Sequence, residues 1–263
     1  MILASAAWLS LTLTLAAALA YAVAAVGLQR RATAGVLLLL AWLLHGAVLA
    51  WGLIGQTPRF GFAPALSFTA WLVVAIYTLE RRLYPQLQIP WVLCLLGAAA
   101  LLLALAFPGS VLSASASPWM PLHLALGLAS YGLIAVAAAH AWFMVRTEDR
   151  LRQAEDPHSG LPLLTLERLT FRFAGAGFVL LSATLLAGLL FDESLYGTVW
   201  KWNHKTVFSV LSWLTFAVLL LGRAHLGWRG RHAARLLYIG SGLLRLAYAG
   251  SRFVLEVLLG RIA

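Results

Sequence analysis

A succession of apolar runs, each about as long as a bilayer-crossing helix, constrains this chain more than any other feature. The runs extend from Ile2 to Leu28, Gly35 to Gly55, Ala63 to Leu79, Ile89 to Phe107, Pro121 to Val145 and Phe173 to Phe191. A seventh lies within Trp200 to Trp228, and an eighth extends roughly from Leu236 to Leu259. Hydrophobic residues make up 62% of the chain and charged residues 11%, more apolar surface than a water-soluble fold hides. The expected fold is all-α: a polytopic bundle of about eight transmembrane helices, one transmembrane domain over residues 1–263, with no soluble domain.

Charge predicts the topology. Arg30–Arg31, Arg81–Arg82, the stretch from Arg146 to Arg172 and the stretch from Arg223 to Arg235 fall on one side when the spans alternate. The opposite loops hold Arg59, Lys201, Lys205 and little else. The positive-inside rule then places both termini in the periplasm of a bacterial inner membrane. The first run lacks a basic segment before it, so an uncleaved span is expected rather than a signal peptide. The formal net charge of +10 is read as inner loops, not as a nucleic-acid surface, because no basic patch is interleaved with exposed aromatics. The lone Cys94, inside an apolar run, gives no disulfide, zinc site or C-x-x-C-H haem attachment. The mixed-charge segment from Arg146 to Arg168, which includes His158, reads as a solvated loop with a short surface helix.

Ionisable residues inside spans are costly, so each invites a functional reading and a structural one. His45 lies about 15 Å deep at the helical rise and needs a hydrogen-bond partner or a metal. His123 opens the fifth span, with Gly127, Ser130 and Tyr131 on the same face. That face suits a flat ligand or a closely packed helix. His140 points elsewhere on that span and is not grouped with it. His225 ends the seventh span beside Arg223, and His204 reads as a solvated cap residue. Tyr238, Ser241, Arg245, Tyr248, Arg252 and Glu256 recur at three- and four-residue spacing, a polar stripe expected to face a bundle interior. Imidazoles, a tryptophan cap and arginines in an apolar bundle together suggest haem handling: histidine for iron, aromatics for the porphyrin, arginine for the propionates.

Several stretches resemble a known family. The cap and seventh span, with Trp200, Trp202, Asn203, Lys205, Thr206, Phe208, Trp213 and His225, resemble the tryptophan-rich signature of the cytochrome c assembly (CcsA/CcmC-like) haem-handling membrane proteins. LLHGAVLAWGLIGQTP with ALSFTAWLVVAIYTLE looks like that family's early histidine span, and LHLALGLASYGLIAVAAAHA like its external-histidine helix. The ending GRAHLGWRGRHAARLLYIG with AYAGSRFV is similar to one branch, the YpjD/HemX-like inner-membrane proteins. The cap departs from the signature at Asn203, Thr206 and Phe208, and a second external histidine has no counterpart near Leu259. The resemblance implies an accessory haem-binding protein, not a stand-alone enzyme, linked to cytochrome c assembly or haem homeostasis. It implies b-type haem with His45, His123 and His225 as candidate iron ligands. Trp200 and Trp202 would flank the porphyrin, and Arg245 and Arg252 would meet its charged groups. Lipid and proteins of cytochrome assembly or haem synthesis would be its partners. The alternatives are a cofactor-free transporter or scaffold subunit, and a regulator of haem biosynthesis.

Overall fold

The computed structural model describes residues 2–27, 31–54, 59–84, 91–111, 120–153, 162–196 and 204–247. They form eight helices: α1 (Ile2–Gly27), α2 (Arg31–Ile54), α3 (Phe62–Leu83), α4 (Trp91–Ala106), α5 (Met120–Arg152), α6 (Leu163–Tyr196), α7 (His204–Leu226) and α8 (Gly230–Arg245). Six of them are long and apolar enough to cross a membrane, and the 16-residue α4 is a shorter apolar helix. The architecture is therefore that of an all-α polytopic membrane protein. Residue 248 onward, including Tyr248, Arg252 and Glu256, lies outside the described residues, as do Trp200 and Trp202.

The chain divides into two compact units, the first holding α1 to α4 and the second α5 to α8. In the first unit, β1 (Arg59–Phe60) pairs antiparallel with β2 (Ser110–Val111). Both segments read as plain loops in the sequence. Gly109 makes the pairing possible: its φ is +80°, and a Cβ there would collide with the Phe60 carbonyl.

In the second unit the helices meet at small residues. Ser130 Oγ of α5 donates to the Gly177 carbonyl of α6 at 3.0 Å, and Ser212 Oγ of α7 donates to the Gly240 carbonyl of α8 at 2.8 Å. A glycine at each crossing lets the backbones approach, and the serine hydrogen bond follows from that proximity. Tyr131 of α5 donates to the Leu244 carbonyl at 2.5 Å, where α8 widens into a π-type turn.

Two expectations need correction. The described parts of the segment from Arg146 to Arg168 are mostly helical: α5 continues to Arg152 and α6 begins at Leu163, so helix ends carry the charges from Arg146 to Arg152 and those of Glu167 and Arg168, while 154–161, with His158, lie outside the described residues. The described part of the α8 stripe faces the interior only at Ser241. Tyr238 and Arg245 are exposed, while Ala233, Ala234, Leu237, Gly240, Ser241 and Leu244 form the buried face. Small residues win that face because α7 packs tightly there, with Phe216 against Gly240.

Candidate functional site

The first unit encloses a chain of polar side chains drawn from three helices. Tyr21 of α1, His45 of α2 and Ser67 of α3 are each 0% exposed. The Tyr21 hydroxyl lies 3.2 Å from His45 Nδ1, and His45 Nε2 lies 2.8 Å from Ser67 Oγ. A neutral imidazole donates from one nitrogen and accepts at the other, so both hydroxyls can be satisfied. The Tyr21 ring stands edge-on to the imidazole at 88° and fits against Gly97 of α4, where a Cβ would come within 2.9 Å of it. Cys94, one turn earlier on α4, is buried.

Beside this chain, Trp42 of α2 and Trp71 of α3 stack with centroids 4.9 Å apart and planes 5° from parallel. Each indole N–H donates to the other residue's backbone carbonyl, at 3.2 and 2.9 Å. The Trp71 ring lies against Gly46. Sequence reasoning found His45 but not Tyr21, Ser67, Trp42 or Trp71. The available signal was spacing: Trp42 and His45 are three apart, and Ser67 and Trp71 four apart, so each pair shares a helix face.

In the second unit His123 is half-buried at the start of α5, bonded to the Thr184 backbone and set beside Gly188 of α6. Gly127 faces Thr184, so the small face of α5 is a helix-packing face. His140 is buried further along α5. Its Nδ1 donates to the Val136 carbonyl at 2.9 Å, and its ring stacks on Phe173 at 5.5 Å. Seventeen residues separate His123 from His140, about 25 Å along the helix. His204 and His225 are exposed. His225 follows Arg223, which pairs with Glu167 near the start of α6, whereas His123 packs near its end. His123 and His225 therefore sit at opposite ends of this unit. Among the described residues no group of three or more His, Cys, Asp or Glu could hold a metal ion.

A ligating imidazole gives one nitrogen to the metal and keeps the other on a hydrogen-bond partner. His45 has a partner at both nitrogens. It could meet iron through Nε2 only if Ser67 moved away while Tyr21 remained as the orienting group. Trp200, Trp202 and Arg252 lie outside the described residues, and Arg245 is exposed.

Comparison with known proteins adds a family. The family described as Cytochrome C assembly protein matches residues 2–259. The inner membrane protein YpjD of Escherichia coli K12 is 34% identical over 149 residues, 54% of this chain and 54% of its own. The match thus covers about half the length of YpjD. An uncharacterized 28.8 kDa protein of Azospirillum brasilense is 34% identical over 80% of this chain and 82% of its own. The cytochrome c biogenesis protein CcsA of Prochlorococcus marinus is 25% identical over 78% of this chain and 75% of its own. No solved structure matches the chain.

Proposed function

Because the chain belongs to the cytochrome c assembly protein family, we propose that it binds and handles b-type haem in the cytoplasmic membrane. It acts as an accessory to cytochrome assembly or haem homeostasis, with both termini periplasmic. The family match over residues 2–259 is the observation that carries this reading. A relative named as a CcsA cytochrome c biogenesis protein and one named as an inner membrane protein support the process and the compartment.

Haem, when bound, would supply an iron that imidazole can ligate and two propionate carboxylates that cations can meet. His123 would serve an outer site, where Gly188 of α6 lies beside its ring. Trp200 and Trp202 would flank the porphyrin, and Arg245 and Arg252 would meet the propionates. His45 and His225 are candidates for an inner ligand. His45 requires the exchange of Ser67 for iron described above.

A specific observation favours a second reading. Both nitrogens of His45 are already held by Tyr21 and Ser67, as in a histidine that ties helices together. On that reading the bundle is a cofactor-free scaffold or transporter subunit, or a regulator of haem synthesis. Titration of detergent-purified apo-protein with haemin separates the two. Wild type should develop a Soret shift that His123→Ala weakens, with a further loss in His45→Ala or His225→Ala. A wild-type spectrum identical to that of a variant lacking all seven histidines would leave the scaffold reading standing.

A further inference from the structure

One end of the second unit carries a cavity of about 430 Å³ that the haem reading does not use. That size lies within the ~300–1,000 Å³ range of small-molecule sites. Arg168 and Arg172 of α6, Arg223 of α7 and Arg229 of the α7–α8 turn line it. Glu167 is the one carboxylate among the lining residues. Glu167 is buried and already committed, to Arg223 at 2.6 Å and to Arg229 at 3.5 Å. Arg223 is further fixed over the Phe171 ring at 4.7 Å. Among the described residues no carboxylate pairs with Arg168 or Arg172. They stand at i and i+4 on an exposed face, a like-charge arrangement that is unfavourable unless an anion lies between them. Four guanidinium groups around one occupied carboxylate leave a surplus of donors suited to phosphate oxygens.

The surroundings favour a phosphate attached to a lipid. Leu164, on the same face, is 71% exposed, and the apolar span of α6 begins at Leu163 beside the cavity. The face continues through Val179 and Leu186, which are 63% and 57% exposed. A phosphate in the cavity would place acyl chains along this apolar stripe, which a free phosphate would leave uncovered.

We propose that this arginine-lined cavity is a binding site for the phosphate of an anionic phospholipid headgroup. The proposal does not depend on haem. Native mass spectrometry of the full chain in detergent, titrated with phosphatidylglycerol or phosphatidylcholine, tests it. Phosphatidylglycerol should bind the tighter of the two. Arg168→Gln/Arg172→Gln should weaken it about tenfold, the scale of one or two charge-assisted contacts. Arg168→Lys/Arg172→Lys keeps the charge without the fork and should retain part of the affinity. Arg81→Gln/Arg82→Gln, on α3 in the other unit, should change it less than about twofold. Equal binding of both lipids would overturn the proposal. So would an equal loss from the α3 pair, which would reduce the site to bulk positive charge. Complete displacement of phosphatidylglycerol by millimolar inorganic phosphate would overturn the lipid assignment.

Discussion

His45 shows two uses of one imidazole that differ in what its partners do. As a helix tie, the histidine gains from Tyr21 and Ser67 alike. As an iron ligand, it keeps Tyr21 and loses Ser67. Ser67→Ala therefore discriminates. Interhelical hydrogen bonds in membrane proteins contribute about 0.6 kcal/mol on average and up to ~1.7, so the apo-protein should lose that much stability in detergent unfolding. If His45 ligates, haemin affinity should hold or rise, because a competitor for Nε2 has gone. If it falls in step with stability, the ligand role for His45 is lost. Tyr21→Phe is the complement: the same loss of stability, with haemin affinity falling because the orienting bond is gone. The burial of His45 was legible from its place in an apolar run. Its partners were not, since they come from helices 24 and 22 residues away and nothing periodic in one helix marks who will face it.

At the scale of elements, glycine decides how closely helices pack. Gly240 and Gly242 lie two residues apart on α8 in different surroundings. A Cβ at Gly240 would come within 2.9 Å of the Phe216 ring, and one at Gly242 would meet nothing within 4 Å. Gly240→Ala should destabilise the chain by about 1–3 kcal/mol through overpacking. Gly242→Ala should be neutral or stabilising by up to ~1 kcal/mol, since alanine restricts the unfolded chain and favours helix. Thermal melts of the two variants in one detergent check the contrast, and an equal response would mean that α7 and α8 do not cross there. Helix number and approximate position were legible because apolar runs of this length have few other fates. Helix ends were not. Arg146, Glu148, Asp149 and Arg152 look like loop residues in isolation, yet α5 carries them as its final turns, with Arg152 and Glu148 paired at 2.6 Å. Of the described polar stripe of α8 only Ser241 is buried, for a related reason. Three- and four-residue spacing identifies a face but not which face a neighbour covers, and the neighbour here selected glycine, alanine and serine.

At the scale of the molecule, the two ends of each unit differ in charge and in pairing. In the second unit the end of α5, the start of α6 and the α7–α8 turn share one end, where Asp149 pairs with Arg231 and Glu167 with Arg223 and Arg229. In the first unit the segments joining α2 to α3 and following α4 share one end, where β1 pairs with β2. Both facts agree with spans that run alternately up and down. Orientation is a separate matter and rests on arginine. The end of α5, the start of α6 and the sequence between them carry Glu and Asp as well as Arg, but topology responds to Lys and Arg near span ends and only weakly to carboxylates. Reporter fusions after Arg152 and after Arg231 should therefore both report the cytoplasm, and a fusion after Ser110 the periplasm. The two cytoplasmic fusions are bound to agree with each other, because Asp149 and Arg231 are in contact. Disagreement between them would refute the packing of the second unit. Agreement on the periplasm would keep that packing and invert the molecule, placing the arginine-lined cavity in the outer leaflet and His123 on the cytoplasmic side.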